Sequence, residues 1–259
     1  MSCESRFYEC LDGDLLLVSG LHHCRAPGNT CLSALIAGKM GTVGNPINTS
    51  KGCGGVMRVA PVGLFCRALP DVGDDRNRGE LAFELGCAVA AITHGHPLGY
   101  LPAGFLAVMI FYLVSGSTLE DAISSAMLLL VERPEYEKSS LAAMIARAVR
   151  ASIKETPCPE TIERLGGGWV GDEALAISLY CAMAAKGDFA RGVRLAVNHS
   201  GDSDSTGAIT GNILGALLGK GAIPAEWTEN VEMCDVVESM ALDIHAFGEL
   251  YDRAICCYF

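Results

Sequence analysis

The stretch GDSDSTGAITGNILGALLG, residues 201–219, places two aspartates directly before a long apolar segment. Glycine then recurs at every fourth position: Gly207, Gly211, Gly215 and Gly219. This spacing forms one stripe on an α-helix, and each glycine costs about 0.8–1.0 kcal/mol relative to alanine. We therefore expect a central helix that a second helix approaches closely along the stripe. A membrane dimerisation motif is the alternative, but the polar Thr206, Thr210 and Asn212 argue against it.

Asp202 and Asp204 stand at the mouth of this helix. Residues two apart on a helix point to different sides, so the two carboxyls converge only if Asp202 lies in the entering loop. Asp204 or Ser205 would then sit near the N-cap. Two interpretations remain open. The acids cap the helix and complement its dipole, or they form a site for a hard cation such as Mg²⁺ or Ca²⁺.

The bulk composition limits the class of protein. The chain has 259 residues, of which 50% are hydrophobic and 19% charged, and its formal net charge is −11. A chain of this kind buries a substantial core and is not intrinsically disordered. Its acidity argues against a nucleic acid or an anionic membrane as partner. The composition leaves the oligomeric state open.

The twelve cysteines are scattered, and no CxxC pair occurs among them. This pattern gives no support to a zinc ribbon or a thioredoxin-like motif. The first twenty residues carry five charged side chains, so the sequence predicts no signal peptide. We therefore expect reduced thiols in a cytoplasmic protein.

Helical periodicity dominates the chain after residue 60. Apolar segments over 80–94, 101–115, 117–133 and 172–187 are separated by Gly, Pro and Asp, and alternating strand patterns are nearly absent. The sequence predicts an all-α fold with a single domain over residues 1–259. The apolar stretch 101–116 is too short to span a bilayer and is expected to be a buried core helix.

Five stretches in order resemble the ADP-ribosylglycohydrolase family. The 201–219 stretch resembles its closing G-D-x-D-[ST] metal motif, which runs into a glycine-spaced helix. RAPGNTCLSAL (25–35) resembles an R-x-P-G-x-T segment, and SKGCGGVMRVAPVGL (50–64) a glycine-rich loop. ITHGHPLG (92–99) resembles a T-H helix end, and LGGGWVGDEALAISLY (165–180) a G-W-x-x-E-A-L segment.

The resemblance implies an all-α, compact, multi-helix orthogonal bundle and an enzyme that uses two Mg²⁺ ions to hydrolyse bonds to ADP-ribose. Its substrate would be an ADP-ribosylated protein or a small ADP-ribose conjugate. The implied metal ligands are Asp202, Asp204 and Ser205. The implied substrate-binding residues are Ser50, Lys51, Gly52, Cys53, Gly54, Gly55 and His94. Backbone N–H groups of a glycine-rich loop suit phosphate.

Several of these residues have a second interpretation. His94 could instead interact with the dipole at the end of its helix. Cys53 stands where relatives often have asparagine, and could contact a ligand through its backbone or be a tolerated replacement. Arg58 is expected to be a structural anchor in a buried ion pair. Trp169 and Glu173 could line the pocket or serve helix packing and capping.

The family normally begins with a G-D-[AS]-x-G helix, a glutamate and a [TS]-D-D-[TS] motif, which complete the metal site. Residues 1–24 do not match them, and neither DGD at 12–14 nor GDD at 73–75 has the right context. We therefore expect an N-terminally truncated member with an incomplete metal set, and no catalytic residue is assigned. The sequence leaves two hypotheses: a Mg²⁺-dependent ADP-ribosyl hydrolase, or an impaired relative that binds ADP-ribose or is purely structural.

Overall fold

The computed structural model of the chain describes residues 26–69, 73–135 and 140–256. Within these ranges the regular structure is helical, which confirms the predicted all-α fold, and the one strand-like pairing is an isolated antiparallel bridge between Gly52 and Val170. The α-helices are α1 (Asn29–Ile36), α2 (Ala60–Ala68), α3 (Asp75–Ala91), α4 (Pro97–Val114), α5 (Leu119–Val131), α6 (Leu141–Lys154), α7 (Pro159–Leu165), α8 (Gly171–Ala185), α9 (Phe189–Ala196), α10 (Ser203–Leu218), α11 (Ala225–Asn230) and α12 (Cys234–Cys256). Two 3₁₀ helices, Cys53–Arg58 and Lys220–Ala222, complete the set.

Helix α4 is the centre of the bundle. Among the described helices it alone is long and apolar enough to cross a bilayer, and 78% of it is buried within the fold. It packs against α2, α3, α5 and α8. Because its apolar residues surround the whole helix rather than one face, it needs neighbours on every side. The prediction of a core helix over this stretch is confirmed.

Close approach between α3 and α4 depends on a glycine. A Cβ added at Gly104 would lie 2.8 Å from the Phe83 carbonyl oxygen and 3.0 Å from its ring. No side chain larger than hydrogen fits there without moving α3, and such shifts are costly in a densely packed interior. The tight α3–α4 pair fixes the turn between them, which carries His94 and His96.

Helix α8 is the second fully enclosed element. Its residues are buried on nearly all sides, and it packs against α4, α6, α9 and α10. The start of α8 therefore faces the start of α10 and the loop before residue 58. These three segments form the candidate site described below.

The structure defines three helix boundaries that the sequence pattern alone places less exactly. Ser117 and Glu120 have the spacing of a capping box, but Thr118 is the residue that caps α5, and it accepts from the N–H of Asp121 at 3.1 Å. Asp74, in the GDD segment, caps α3 and accepts from the N–H of Asn77 at 3.0 Å. The helical pattern of the sequence over 229–252 is divided between α11 and α12, with Met233 at a φ of 58° between them.

The glycine stripe on α10 does not have the expected neighbour. An added Cβ would meet no atom within 4 Å at Gly211, Gly215 or Gly219, and at Gly207 it would meet only a side-chain atom of Val197. The prediction of a helix packed along the whole stripe is therefore wrong for the described residues. The expectations for residues 1–24, including the DGD segment, fall outside those residues.

Candidate functional site

The 50–55 loop lies between α1 and the turn that joins α3 to α4. The N–H of Ser50 donates to Asn48 Oδ1 at 3.0 Å, and its carbonyl accepts from the N–H of His96 at 3.2 Å. The Ser50 hydroxyl lies 3.0 Å from that of Thr30 on α1. Asn48 also donates to the Thr93 carbonyl at 2.8 Å. The end of α3 and the start of α4 meet here, and together they fix the start of the loop.

A second loop, residues 166–171, runs beside the first. The N–H of Gly171 donates to the Lys51 carbonyl at 2.9 Å, and the N–H of Cys53 donates to the Trp169 carbonyl at 3.2 Å. These bonds flank the Gly52–Val170 bridge. The two loops thus form a short two-stranded contact in an otherwise helical protein.

The same second loop also holds the start of α10. The Gly167 carbonyl accepts from the N–H of Asp202 at 2.8 Å. On the other side, Glu173 Oε2 accepts from the N–H groups of Gly167 at 3.0 Å and Gly168 at 3.2 Å. Gly166 has a φ of 137°, a conformation that residues with a Cβ rarely adopt. Glu173 therefore fixes the 166–171 loop, which aligns Asp202 with Cys53.

Asp202 is itself the N-cap residue of α10, so Asp204 and Ser205 are its second and third helical residues. The helix therefore begins two or three residues earlier than expected from an N-cap at Asp204 or Ser205. The Asp202 side chain makes no capping bond to the helix. Asp204 Oδ1 accepts from the N–H of Ser205 at 2.7 Å. Because the Asp202 carboxyl accepts from no N–H group of the helix, helix capping does not account for its position.

Cys53 connects the loop to the acidic pair. Its thiol donates to Asp202 Oδ2 at 2.9 Å and lies 3.4 Å from Ser205 Oγ. Burial and the bond to Asp202 raise the pKa of this thiol to about 12, so it stays protonated and donates at neutral pH. The sequence interpretations of Cys53, a backbone contact or a tolerated replacement, both missed this side-chain role.

The two carboxyls interact with each other. Burial, and then the neighbouring Asp204 carboxyl, raise the pKa of Asp202, whereas hydrogen bonds from Asp202 and the Ser205 N–H lower the pKa of Asp204. The Ser205 hydroxyl also bonds to Asp202. The three predicted metal ligands therefore converge, as the entering-loop argument required. Two carboxylates held together repel each other and favour a cation between them.

His94 lies beneath the 50–55 loop rather than on its open side. Its ring is 2% exposed, and Cβ atoms added at Gly52 and Gly54 would lie 3.3 Å from its Nε2 and 3.2 Å from its Cε1. Its Nδ1 lies 2.8 Å from the Thr93 hydroxyl. Burial, and then the charge of Arg58, lower the pKa of His94 to about 4, so the ring is neutral at pH 7.

Within the described residues, Arg58 anchors the loop through hydrogen bonds to a helix end and forms no ion pair of the kind that the sequence suggested. Its guanidinium donates to the carbonyls of Val89 at 2.8 Å and Ala90 at 3.3 Å, and to the Thr93 hydroxyl at 2.7 Å. These carbonyls belong to the last turn of α3, where the helix dipole favours a cation. The partner is thus a helix end rather than a carboxylate.

A histidine that the sequence analysis did not single out orders the turn before α10. His199 Nδ1 accepts from the N–H of Gly201 at 3.1 Å, and its Nε2 lies 2.9 Å from the Thr206 hydroxyl. That hydroxyl in turn donates to the Ala196 carbonyl at 2.8 Å. The bond to Gly201 leaves the proton on Nε2, so one neutral tautomer fits the turn.

The donor set of Asp202, Asp204 and Ser205 consists of two carboxylates and one hydroxyl, which are hard oxygen ligands. Mg²⁺ is often bound by one or two carboxylates with water and substrate oxygens in the remaining positions. These three residues therefore suit one Mg²⁺ ion. No group of three or more His, Cys, Asp or Glu side chains that could hold a metal occurs in the described residues.

Comparison with known proteins shows the family of this chain. The chain matches the profile of the ADP-ribosylglycohydrolase family over residues 4–253. This chain belongs to the ADP-ribosylglycohydrolase family. A solved structure described as an ADP-ribosylglycohydrolase-related protein complex superposes with a TM-score of 0.63 at 26% identity, and the match covers 85% of this chain and 69% of the other.

Among individual relatives of this family member, an uncharacterized protein of Archaeoglobus fulgidus is 30% identical over 78% of this chain and 60% of its own length. The ADP-ribosylarginine hydrolase Tri1 of Pseudomonas putida is 25% identical over 89% and 55%. The ADP-ribosylhydrolase ARH3 of Danio rerio is 26% identical over 74% and 56%. The chain thus spans between half and two thirds of the length of these relatives.

The structure places the predicted site residues of this family member in one region, with different exposures. The residues that meet across the two motifs are Cys53, Asp202, Asp204 and Ser205. Lys51 is exposed, Gly52 and Gly54 are half-buried above His94, and Gly55 is buried. The sequence analysis missed the backbone of the 166–171 loop. The run of three glycines before an acid-rich helix start was the feature of the sequence that could have indicated this loop.

Proposed function

We propose that this protein hydrolyses the glycosidic bond between ADP-ribose and an acceptor group on a protein side chain or a small molecule, in a Mg²⁺-dependent reaction. The observation that carries the proposal is the contact between Cys53 of the glycine-rich loop and Asp202 of the acidic pair. It joins a surface suited to phosphate with one suited to a divalent cation. Membership of the family supports the reaction class.

In this proposal Asp202 and Asp204 hold the ion, and the Ser205 hydroxyl completes their set. When bound, Mg²⁺ would act as a Lewis acid that orients ligand hydroxyls and water. The protonated Cys53 thiol keeps Asp202 Oδ2 in a fixed position. Removing one carboxylate would therefore affect both the ion and the register of the loop.

The 50–55 loop would bind the diphosphate through backbone N–H groups, because a run of glycines lets an anion approach the backbone closely. The N–H of Cys53 is bonded to the Trp169 carbonyl and is therefore not one of these groups, whereas the N–H of Gly52 makes only a long contact of 3.4 Å with the Ser50 hydroxyl. The neutral ring of His94 supports the underside of the loop. Trp169 is 64% exposed at the rim, where its indole could cover an aromatic base.

Hydrolysis would add water across the bond between the anomeric carbon of the ribose and the acceptor atom. The oxygen of water forms the new bond to carbon, and the acceptor leaves with a proton. A cationic, oxocarbenium-like ribose in the transition state is stabilised by nearby carboxylates. The name of the Pseudomonas putida relative includes ADP-ribosylarginine, so an arginine conjugate is the first substrate to test.

The test is release of ADP-ribose from an ADP-ribosylarginine protein by the full chain, with Mg²⁺ and with EDTA. The variant Asp202→Asn/Asp204→Asn should lose release, whereas Glu226→Gln/Glu229→Gln, which removes two exposed charges elsewhere, should retain it. Mg²⁺-independent release, or equal release by both double variants, would refute the metal role.

One observation favours a second candidate function, binding of ADP-ribose without turnover. The family resemblance implies two ions, but the described residues contain no group of three or more His, Cys, Asp or Glu side chains that could hold a metal. Calorimetry with ADP-ribose and Mg²⁺, run beside the release assay, separates the candidates. Saturable binding with no release from arginine or serine conjugates supports the second candidate, and release with turnover excludes it.

A further inference from the structure

Four cationic side chains surround a pocket between α6 and α7, away from the acidic pair. Arg147, Arg150 and Lys154 lie on one face of α6 at spacings of three and four residues, and Arg164 extends from α7. The pocket has a volume of about 140 Å³. Its floor consists of the buried residues Ala151, Thr161 and Leu165.

The charges around this pocket are not balanced. Glu155 is the one acid in its lining, and it is already ion-paired with Arg164 and accepts from the Thr161 hydroxyl at 3.2 Å. Within the described residues, no carboxylate forms an ion pair with Arg147, Arg150 or Lys154. The lining thus carries a net charge of +3 in a chain whose formal net charge is −11.

Helix stability alone does not explain this arrangement. Lys154 is in the last turn of α6, where a cation complements the helix dipole. Arg147 is in the middle of α6, beyond the reach of that effect, which fades within one turn. Like charges three or four residues apart destabilise a helix. The cluster therefore carries an electrostatic cost that an anion in the pocket would remove.

We propose that this pocket binds a phosphate-type oxyanion, either free phosphate or a phosphate monoester on a larger molecule. Guanidinium groups recognise such oxygens through paired, charge-assisted hydrogen bonds. Arg164 is held in place for this role, because Glu155 and the Thr161 hydroxyl both contact its guanidinium. The volume admits one tetrahedral anion together with a few waters. This site shares no residue with the acidic pair and does not rest on the proposed hydrolysis.

The test is calorimetric titration of the full chain at pH 8 with sodium phosphate, against sodium chloride at equal ionic strength. We expect saturable binding of phosphate at this pocket, in addition to any binding at the 50–55 loop, and no saturable response to chloride. In Arg147→Gln/Arg150→Gln the affinity should fall by about tenfold or more, because two charge-assisted bonds are lost. Glutamine keeps a high helix propensity, so α6 should remain folded.

A matched control removes the same charge elsewhere. Arg67→Gln/Arg191→Gln deletes two exposed cations outside the pocket and should change the affinity by about twofold at most, through the screened overall field. Thermal unfolding gives a second measurement. Phosphate should raise the melting temperature of the parent and of Arg67→Gln/Arg191→Gln by more than that of Arg147→Gln/Arg150→Gln.

Two further titrations distinguish the sources of the anion. A phosphoserine peptide and AMP carry monoesters, and each is compared with inorganic phosphate. Monoester binding that is lost in Arg147→Gln/Arg150→Gln supports a site for phosphorylated molecules. Binding of inorganic phosphate alone supports a site for the free ion. Equal responses to phosphate and chloride, or equal losses in the two double variants, would overturn the proposal.

Discussion

The Cys53 thiol donates a hydrogen bond to Asp202 Oδ2 across 2.9 Å, although 149 residues separate the two in sequence. The bond is buried and ends on a charged acceptor, a combination worth more than an ordinary hydrogen bond. It is the point at which the glycine-rich loop and the acidic pair become one site. Removing it should therefore be measurable in stability as well as in ligand binding.

The first prediction compares two buried thiols. In Cys53→Ser the new hydroxyl can still donate to Asp202. Cys66 is fully buried, and burial alone raises the pKa of its thiol, so Cys66→Ser places a hydroxyl in an apolar environment. We expect Cys66→Ser to cost about 1–3 kcal/mol of unfolding free energy and Cys53→Ser about 1 kcal/mol less. Urea denaturation of both variants measures this. Equal losses would show that the bond to Asp202 adds nothing.

The second prediction concerns pH. The pKa of His94 is about 4 in the folded protein, against about 6.5 in an unfolded chain. The unfolded chain therefore binds a proton first as the pH falls, and stability is lost between about pH 6.5 and pH 4. Between pH 7.5 and pH 5 this ring should account for about 2 kcal/mol of lost stability.

The measurement is urea denaturation at those two pH values. His94→Asn should reduce the pH dependence, and His245→Asn, which changes an exposed histidine on α12, should not. An unchanged pH dependence in His94→Asn would contradict the assignment of a buried neutral ring.

The third prediction concerns the 166–171 loop. Glu173→Ala removes the acceptor of two backbone N–H groups, so the amides of Gly167 and Gly168 should exchange with solvent faster. Glu173→Gln retains a carbonyl acceptor and should restore part of the protection. Glu226→Ala, on exposed α11, serves as the control. Hydrogen exchange followed by NMR measures all three, and unchanged exchange in Glu173→Ala would exclude the positioning role.

The fourth prediction concerns the acidic pair in the absence and presence of Mg²⁺. Asp204→Asn removes the repulsion between the carboxyls but also a favourable negative charge in the first turn of α10, so without metal its melting temperature should stay close to that of the parent. With Mg²⁺ only the parent should gain stability, by about 2.7 kcal/mol at a hundredfold excess over the dissociation constant. Glu226→Gln should gain as much as the parent. A Mg²⁺-dependent gain in Asp204→Asn would show that the ion binds elsewhere.

The fifth prediction tests the open glycine stripe. Gly211 lies inside α10 with no atom within 4 Å of an added Cβ, so Gly211→Ala should stabilise the protein by about 0.5–1 kcal/mol. Gly55→Ala should destabilise it, because its Cβ would lie 2.8 Å from the Gly99 carbonyl oxygen. Thermal and urea denaturation measure both. A loss in Gly211→Ala would mean that another segment or chain covers the stripe.

Much of the fold was readable in the sequence. Helices α3 to α6 and α8 follow from apolar periodicity and from punctuation by proline, glycine and capping acids, which are local properties of the chain. The convergence of Asp202, Asp204 and Ser205 could also be predicted, because residues this close in sequence remain neighbours at a helix start and its entering loop. The prediction of a second helix packed along the glycine stripe was wrong, because a pattern along one helix does not specify which segment packs against it.

The sequence by itself determined the helical class, the family and the residue types at the candidate site. Only the tertiary structure decided that Cys53 contacts Asp202, that Arg58 anchors to the end of α3, and that Glu173 orients the loop between them. The physical reason is the range of the interactions. Helix periodicity and capping act over a few residues, whereas these hydrogen bonds exist only after packing around α4 and α8 brings distant segments together.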